Sequence, residues 1–213
     1  MRPYYKVLIL VLLFTGFGQE NSAQSIRYYT PFSLPGNSTV KRYDTLQVRL
    51  CYSLDNTTTI GVIFRYWLVD MCVGIFKNNL NRELAAAFDT VNVTDSTRFY
   101  FYRSPISSDG VIIIWESRYE FDSELRAYLF KDGTVKKMGK IDVDLDNSVV
   151  PNVSYPVSKI GIRTDGKKIQ FTFREPLKFR ISNSIAPEDF YYMYDGVSQL
   201  IPVVKGKAMK PVW

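Results

Sequence analysis

Histidine is absent from all 213 residues, so the chemistry weighed first is that of carboxylates. Its absence removes Ser-His-Asp and Cys-His machinery and every imidazole-ligated metal. Two acidic groups are left to weigh. Glu116 and Glu120 share parity on one predicted strand, with Asp122 and Glu124 close behind. Two carboxyls on one face are the minimum for glycoside hydrolysis. Residues four apart on a strand, however, stand roughly 13 Å apart at the backbone. A partner from another strand would be needed, and Arg118 and Arg126 offer ordinary ion pairs instead. No catalytic residue is assigned. The run Asp142-Val143-Asp144-Leu145-Asp146-Asn147 opens like a calcium loop. It fails at the sixth position, Asn147 where glycine belongs, and at the twelfth, Val153 where glutamate belongs. Neither a metal nor a cofactor is expected, since phosphate-cradling and dinucleotide glycine motifs are missing too.

The residue type in excess is aromatic: 14 Phe, 15 Tyr and 3 Trp. Flat rings suit the apolar faces of sugars and polymers, and tyrosine adds a hydroxyl for a wet end. In Phe99-Tyr100-Phe101-Tyr102 strand alternation sends half the rings to each face, and Tyr191 to Tyr194 behave alike. The tyrosines are the better exposed members. The candidate ligand-binding residues are therefore Tyr100 and Tyr102 on one strand and Tyr192 and Tyr194 on another, with Phe99 and Phe101 facing inward.

The elements that must carry these rings are strands. Leu46–Leu54 alternates cleanly, and Ile60–Val69 is almost continuously apolar, as in a strand covered on both faces. Together they predict a hairpin in which Cys51 faces Ile63. Cys72 then lies far from Cys51 unless the chain turns back near Asp70, and two buried free thiols are expected. Arg98–Arg103 and Val111–Phe121 follow. Hairpins are expected across Lys131-Asp132-Gly133, Asp165-Gly166-Lys167 and Asp195-Gly196, because glycine supplies the positive φ of tight primed turns. One short helix is predicted at 79–88, where Leu80, Leu84, Ala87 and Phe88 recur with helical spacing. The fold expected is mainly β (α+β), antiparallel and sandwich-like, built from successive hairpins.

Residues 1–24 read as a signal peptide: Arg2 and Lys6, then the apolar Val7 to Phe17, then Ser22 and Ala23. Eleven apolar residues are too few to span a bilayer, which takes about 20. A single domain over 25–213 is expected, secreted or held in the periplasm or cell envelope. The chain carries 27 basic and 21 acidic residues. The lysines at 136, 137 and 140 and at 205, 207 and 210 are read as solvated edges that resist strand pairing, and nucleic acid is not an expected partner. Sequons begin at Asn37, Asn56, Asn92 and Asn152. The expected function is an exported, non-catalytic binding or envelope-associated protein, with a glycan or envelope polymer as ligand. The alternatives are a carboxylate-based polysaccharide hydrolase and an assembly subunit that uses exposed strand edges.

Overall fold

The computed structural model describes residues 25–37, 41–43, 46–65, 70–78, 84–92, 96–118, 123–141, 157–174, 177–179, 182–185, 187–197 and 199–209. The leader at 1–24, Glu120, Asp122, the acidic run at 142–147 and the sequon at Asn152 lie outside the described residues.

The chain is mostly antiparallel strand. An N-terminal arm supplies β1 (Arg27–Tyr28), β2 (Thr30–Phe32), β3 (Gly36–Asn37) and β4 (Lys41–Tyr43). Then come β5 (Leu46–Ser53), β6 (Thr58–Arg65), β7 (Asp70–Lys77) and β8 (Leu84–Asn92). A second meander holds β9 (Ser96–Arg103), β10 (Val111–Arg118), β11 (Ser123–Lys131) and β12 (Thr134–Ile141). The last stretch holds β13 (Ile160–Thr164), β14 (Ile169–Phe173), β15 (Leu177–Phe179), β16 (Ser182–Ile185), β17 (Phe190–Tyr194), β18 (Ile201–Val204) and β19 (Lys207–Ala208). Three sheets result: an N-terminal outer sheet from β3 to β8, a central sheet ordered β12-β11-β10-β9-β2, and a C-terminal outer sheet ordered β1-β13-β14-β17-β18-β19. Among the described residues β15 and β16 pair only with each other.

Both faces of the central sheet are covered. On one face Tyr102, Ile112, Ile114, Leu125 and Ala127 pack with Ile162, Phe171, Phe173, Tyr192 and Tyr194 of the C-terminal outer sheet. On the other, Phe99, Phe101, Ile113, Trp115 and Tyr128 pack with Ile60, Val62, Val73 and Ile75 of the N-terminal outer sheet. This explains the composition: a middle layer needs apolar side chains at both parities, and Ile112 to Trp115 are all buried without alternation.

The turn chemistry differs among the three Asp-Gly sites. Asp132 and Gly133 both take positive φ, 50° and 69°, as a two-residue primed turn requires. At 165 and 195 the aspartate instead folds a longer turn around its own carboxylate, which accepts the N–H of Lys167 and Lys168 in one case and of Val197 in the other. Asp55 does the same for Thr57 and Thr58. That tightens the first hairpin, so Cys51 faces Gly61 and not Ile63. The chain does turn back at Asp70, and Cys72 then faces Ile63. The two thiols thus sit on strands separated by β6, buried and free.

The predicted helix is corrected. Residues 84–88 form the start of strand β8, paired with β7, and 79–83 lie outside the described residues. Alanine favours helix only weakly against tertiary demand. Ten residues cannot hold a helix unaided, whereas β7 offers a ladder. Phe88 packs on Tyr128 with ring centres 5.9 Å apart.

Candidate functional site

The arm visits each sheet in turn. β1 pairs with β13, β2 with β9, and β3 and β4 with β5. Arg27 anchors its start, donating from Nε and Nη2 to the Asp109 carboxylate at 3.0 Å each. Ser104 donates to the same carboxylate at 2.5 Å. Burial pushes the Asp109 carboxyl up, but the hydrogen bonds from Arg27 and Ser104 outweigh it and hold the group below its ordinary value.

On the central sheet the arm covers only part of β9. Its ladder runs from Thr30 opposite Arg103 to Phe32 opposite Phe101 and stops. The chain then leaves for the N-terminal outer sheet, where Gly36 pairs with Tyr52. Between the two contacts lies a cleft of 380 Å³, walled by arm residues 31–34, by Tyr52 and by the run from Phe99 to Tyr102. Tyr52 meets Phe99 edge-on at 5.7 Å and Phe101 at 5.0 Å. Phe32 meets Phe101 at 6.1 Å. A side chain at 36 would collide with the Tyr52 ring, so glycine is what lets the arm cross there. Phe32, Tyr52 and Tyr100 are half-buried, while Phe99, Phe101 and Tyr102 are buried. Partial burial raises the Tyr52 hydroxyl above its usual pKa.

The backbone adds polar groups. Pro31 has no N–H, so its pair with Tyr102 is the non-bonded rung of the ladder. The groups of Phe101 and Arg103 then face the arm, consistent with Thr30 Oγ1 reaching the Arg103 carbonyl at 3.5 Å. By the same alternation, the N–H and C=O of Phe99 face the cleft, past the last rung of the arm.

The four tyrosines expected on the surface are corrected in their environment. Tyr102, Tyr192 and Tyr194 are 5%, 4% and 1% exposed and belong to one apolar layer. Each pair does share parity, but the two pairs belong to one core and not to solvent, because the central sheet has no wet face. Their hydroxyls find internal partners: Tyr102 donates to the Val157 carbonyl at 3.2 Å and Tyr194 to the Gly196 carbonyl at 3.3 Å. Burial, aided by Tyr100, pushes the Tyr102 hydroxyl up to about 12. Tyr100 is half-buried and donates to Glu116 Oε2 at 2.8 Å. Tyr100 and Tyr102 line the cleft, whereas Tyr192 and Tyr194 do not. Phe32, Leu34 and Tyr52 complete it and were not foreseen. Their only signal was the breaker pattern of Pro31, Pro35 and Gly36.

The acidic group does not converge. Glu116 is fully buried, 3.1 Å from Arg118 Nη2. Its Oε1 meets Arg118 by charge alone, without hydrogen-bond geometry. Glu124 opposes Ser117, so it leaves the other face of the sheet, where Arg126 and Lys140 hold it. The mid-chain lysines do stand on an edge strand, β12, with Lys136 exposed and Lys137 and Lys140 half-buried, but they also make ties. Lys137 binds Asp89, Lys140 binds Glu124, and Lys136 donates to the Gly196 carbonyl. Among the described residues no group of three or more acidic or cysteine side chains is placed to hold a metal ion. No helix among them is long and apolar enough to cross a membrane. No family model, curated protein or solved structure matches this chain.

Proposed function

We propose that this is an exported, non-catalytic binding protein, secreted or held in the periplasm or cell envelope, whose ligand is a glycan or envelope polymer lying in the β9 cleft. One observation carries the reading: the arm stops pairing at Phe101 and leaves half-buried rings and the Phe99 backbone groups around an open 380 Å³ space. Rings give stacking faces, and backbone donors and acceptors suit sugar hydroxyls. The leader expected at 1–24 supports export, and the four sequons suit a secretory route. A carboxylate hydrolase is disfavoured, because Glu116 and Glu124 leave opposite faces of the sheet.

Glycan-array binding of the purified protein, compared with Tyr52→Ala and Tyr192→Ala, tests this. Tyr52→Ala should lose array binding with a smaller fall in melting temperature than Tyr192→Ala, because its ring is only half-buried. Tyr192→Ala should lose stability instead. Retained binding in the folded Tyr52 variant would remove the cleft from consideration.

A second reading, assembly through strand edges, is favoured by β8. Its residues Leu84, Ala85 and Ala87 are exposed along an edge without lysine or proline. Concentration-dependent sedimentation that Ala87→Lys abolishes would support it, and a monomer at all concentrations would remove it.

A further inference from the structure

We propose that the β9 cleft is an end-recognition site: it takes the terminal units of a neutral glycan chain, not an internal stretch and not an acidic polymer. The inference rests on the cleft reading above and narrows its ligand. The ladder between arm and sheet sets the shape. Phe32 opposite Phe101 is the last rung, and by Gly36 the arm is paired with Tyr52 on another sheet. On the way Leu34 packs into the apolar layer between the central and N-terminal outer sheets. Arm and β9 therefore diverge as the sides of a wedge whose apex is a backbone rung. A sugar chain that follows the free edge of β9 into the wedge meets that rung and stops. The 380 Å³ volume agrees. It lies near the low end of the roughly 300–1,000 Å³ of small-molecule pockets, room for a disaccharide-sized ligand and not for a long run of units.

The lining fixes the charge class. Every residue that lines the cleft is uncharged. A carboxylate or sulfate seated there would lose water without gaining a counter-charge. Arg103 lies 5.1 Å from the centre of the Phe32 ring but is not itself a lining residue. What the cleft offers is neutral hydrogen bonding beside rings. The hydroxyls of Ser33 and Tyr52 have no hydrogen-bond partner among the described residues, and the Phe99 N–H and C=O face the same space. Sugar hydroxyls donate and accept at once and match such groups, while the half-buried Tyr52 ring suits an apolar pyranose face. A peptide fits less well. Strand addition draws its affinity from successive main-chain rungs. The arm holds those at Phe101 and Arg103, and β9 begins at Ser96, so only the outward groups of Thr97 and Phe99 are left.

The test is calorimetric titration of the purified protein with cello-, laminari- and manno-oligosaccharides. Each is used as disaccharide, hexasaccharide and long polymer, and each beside its form oxidised at C6 to the uronate. At least one neutral series should bind, with a single protein per chain at every length. Its affinity should change less than about threefold from disaccharide to polymer, and the uronate form should bind at least about tenfold more weakly. These comparisons use the wild-type protein alone. A protein-to-chain ratio that grows with length would show internal binding and overturn the inference; loss of that binding in Tyr52→Ala would leave the cleft reading standing. Equal binding of a uronate and its neutral parent would overturn it in the same way. Binding that survives in folded Tyr52→Ala would overturn both, because the ligand would sit elsewhere. Binding to none of the probes would overturn the inference, and array binding that depends on Tyr52 would then still uphold the cleft.

Discussion

The two faces of the central sheet are held by different physics. Toward the C-terminal outer sheet the contact is mostly apolar, the hydroxyls of Tyr102 and Tyr194 end on backbone carbonyls, and a buried carboxylate, Glu116, takes the Tyr100 hydroxyl and pairs with Arg118. Toward the N-terminal outer sheet the apolar layer carries an ionic knot. Asp89 of β8 accepts the Tyr128 hydroxyl at 2.7 Å and pairs with Lys137 at 2.5 Å. Arg126 donates to the Asp89 carbonyl at 3.2 Å and lies 5.5 Å over the Trp115 ring. Apolar burial is non-directional and tolerates small slips. A satisfied charge cluster fixes one arrangement of β8 against β11 and β12. The cleft opens on the knotted side, where Tyr52 and Phe32 must keep their places relative to β9. A binding site gains from that rigidity.

The largest effects are expected in the apolar layers. Trp115→Ala and Phe171→Ala, one on each face and both fully buried, should each cost about 3–5 kcal/mol. Denaturant melts would read this directly. If either cost less than about 1 kcal/mol, that face would be no real core. The knot comes next. Asp89 has φ of 52°, a conformation that alanine resists and asparagine tolerates. Asp89→Ala should lose about 1–3 kcal/mol by stranding the Tyr128 hydroxyl and Lys137. Asp89→Asn keeps the backbone and a hydrogen-bond acceptor and should lose less. Equal losses would mean that charge alone matters there.

The smallest effect concerns the arm. The Asp109 carboxyl is held below its ordinary value, so its stabilising contribution is present above the usual carboxylate range near pH 3.9. That contribution is lost as pH falls through the depressed folded value. Wild type should therefore lose melting temperature more steeply below about pH 4 than Asp109→Asn, which has no proton to take up there. Asp55 and Asp165 are depressed as well and stay in both proteins, so the difference between the slopes is the readout. Parallel slopes would mean that the Arg27 contact does not titrate with folding.

What the residues revealed beforehand was local. Asp132-Gly133 announced its hairpin because two adjacent positive φ angles leave few alternatives. The continuous apolar run from Ile60 correctly marked a strand covered on both faces. Ala85 to Ala87 misled, because helical spacing and strand pairing both accept a short alanine stretch and only the β7 ladder decides. The tyrosine parity was legible, but its direction was not. Alternation says which rings share a face, and whether that face meets water depends on sheets made from residues 60 to 90 positions away. The cleft was least legible of all. It exists because arm residues 27–37 cross three sheets whose paired strands lie between about 15 and 140 residues downstream, and nothing local encodes those pairings.

The proposed binding site is the uncovered part of β9 and not the tyrosine layer of the C-terminal outer sheet. Hydrogen–deuterium exchange with and without the bound polysaccharide tests it most directly. Ligand should slow amide exchange in peptides covering 31–36, 50–54 and 97–101, with β17 unchanged. Slowing confined to 190–204, or no change in any of the three cleft segments, would contradict the account.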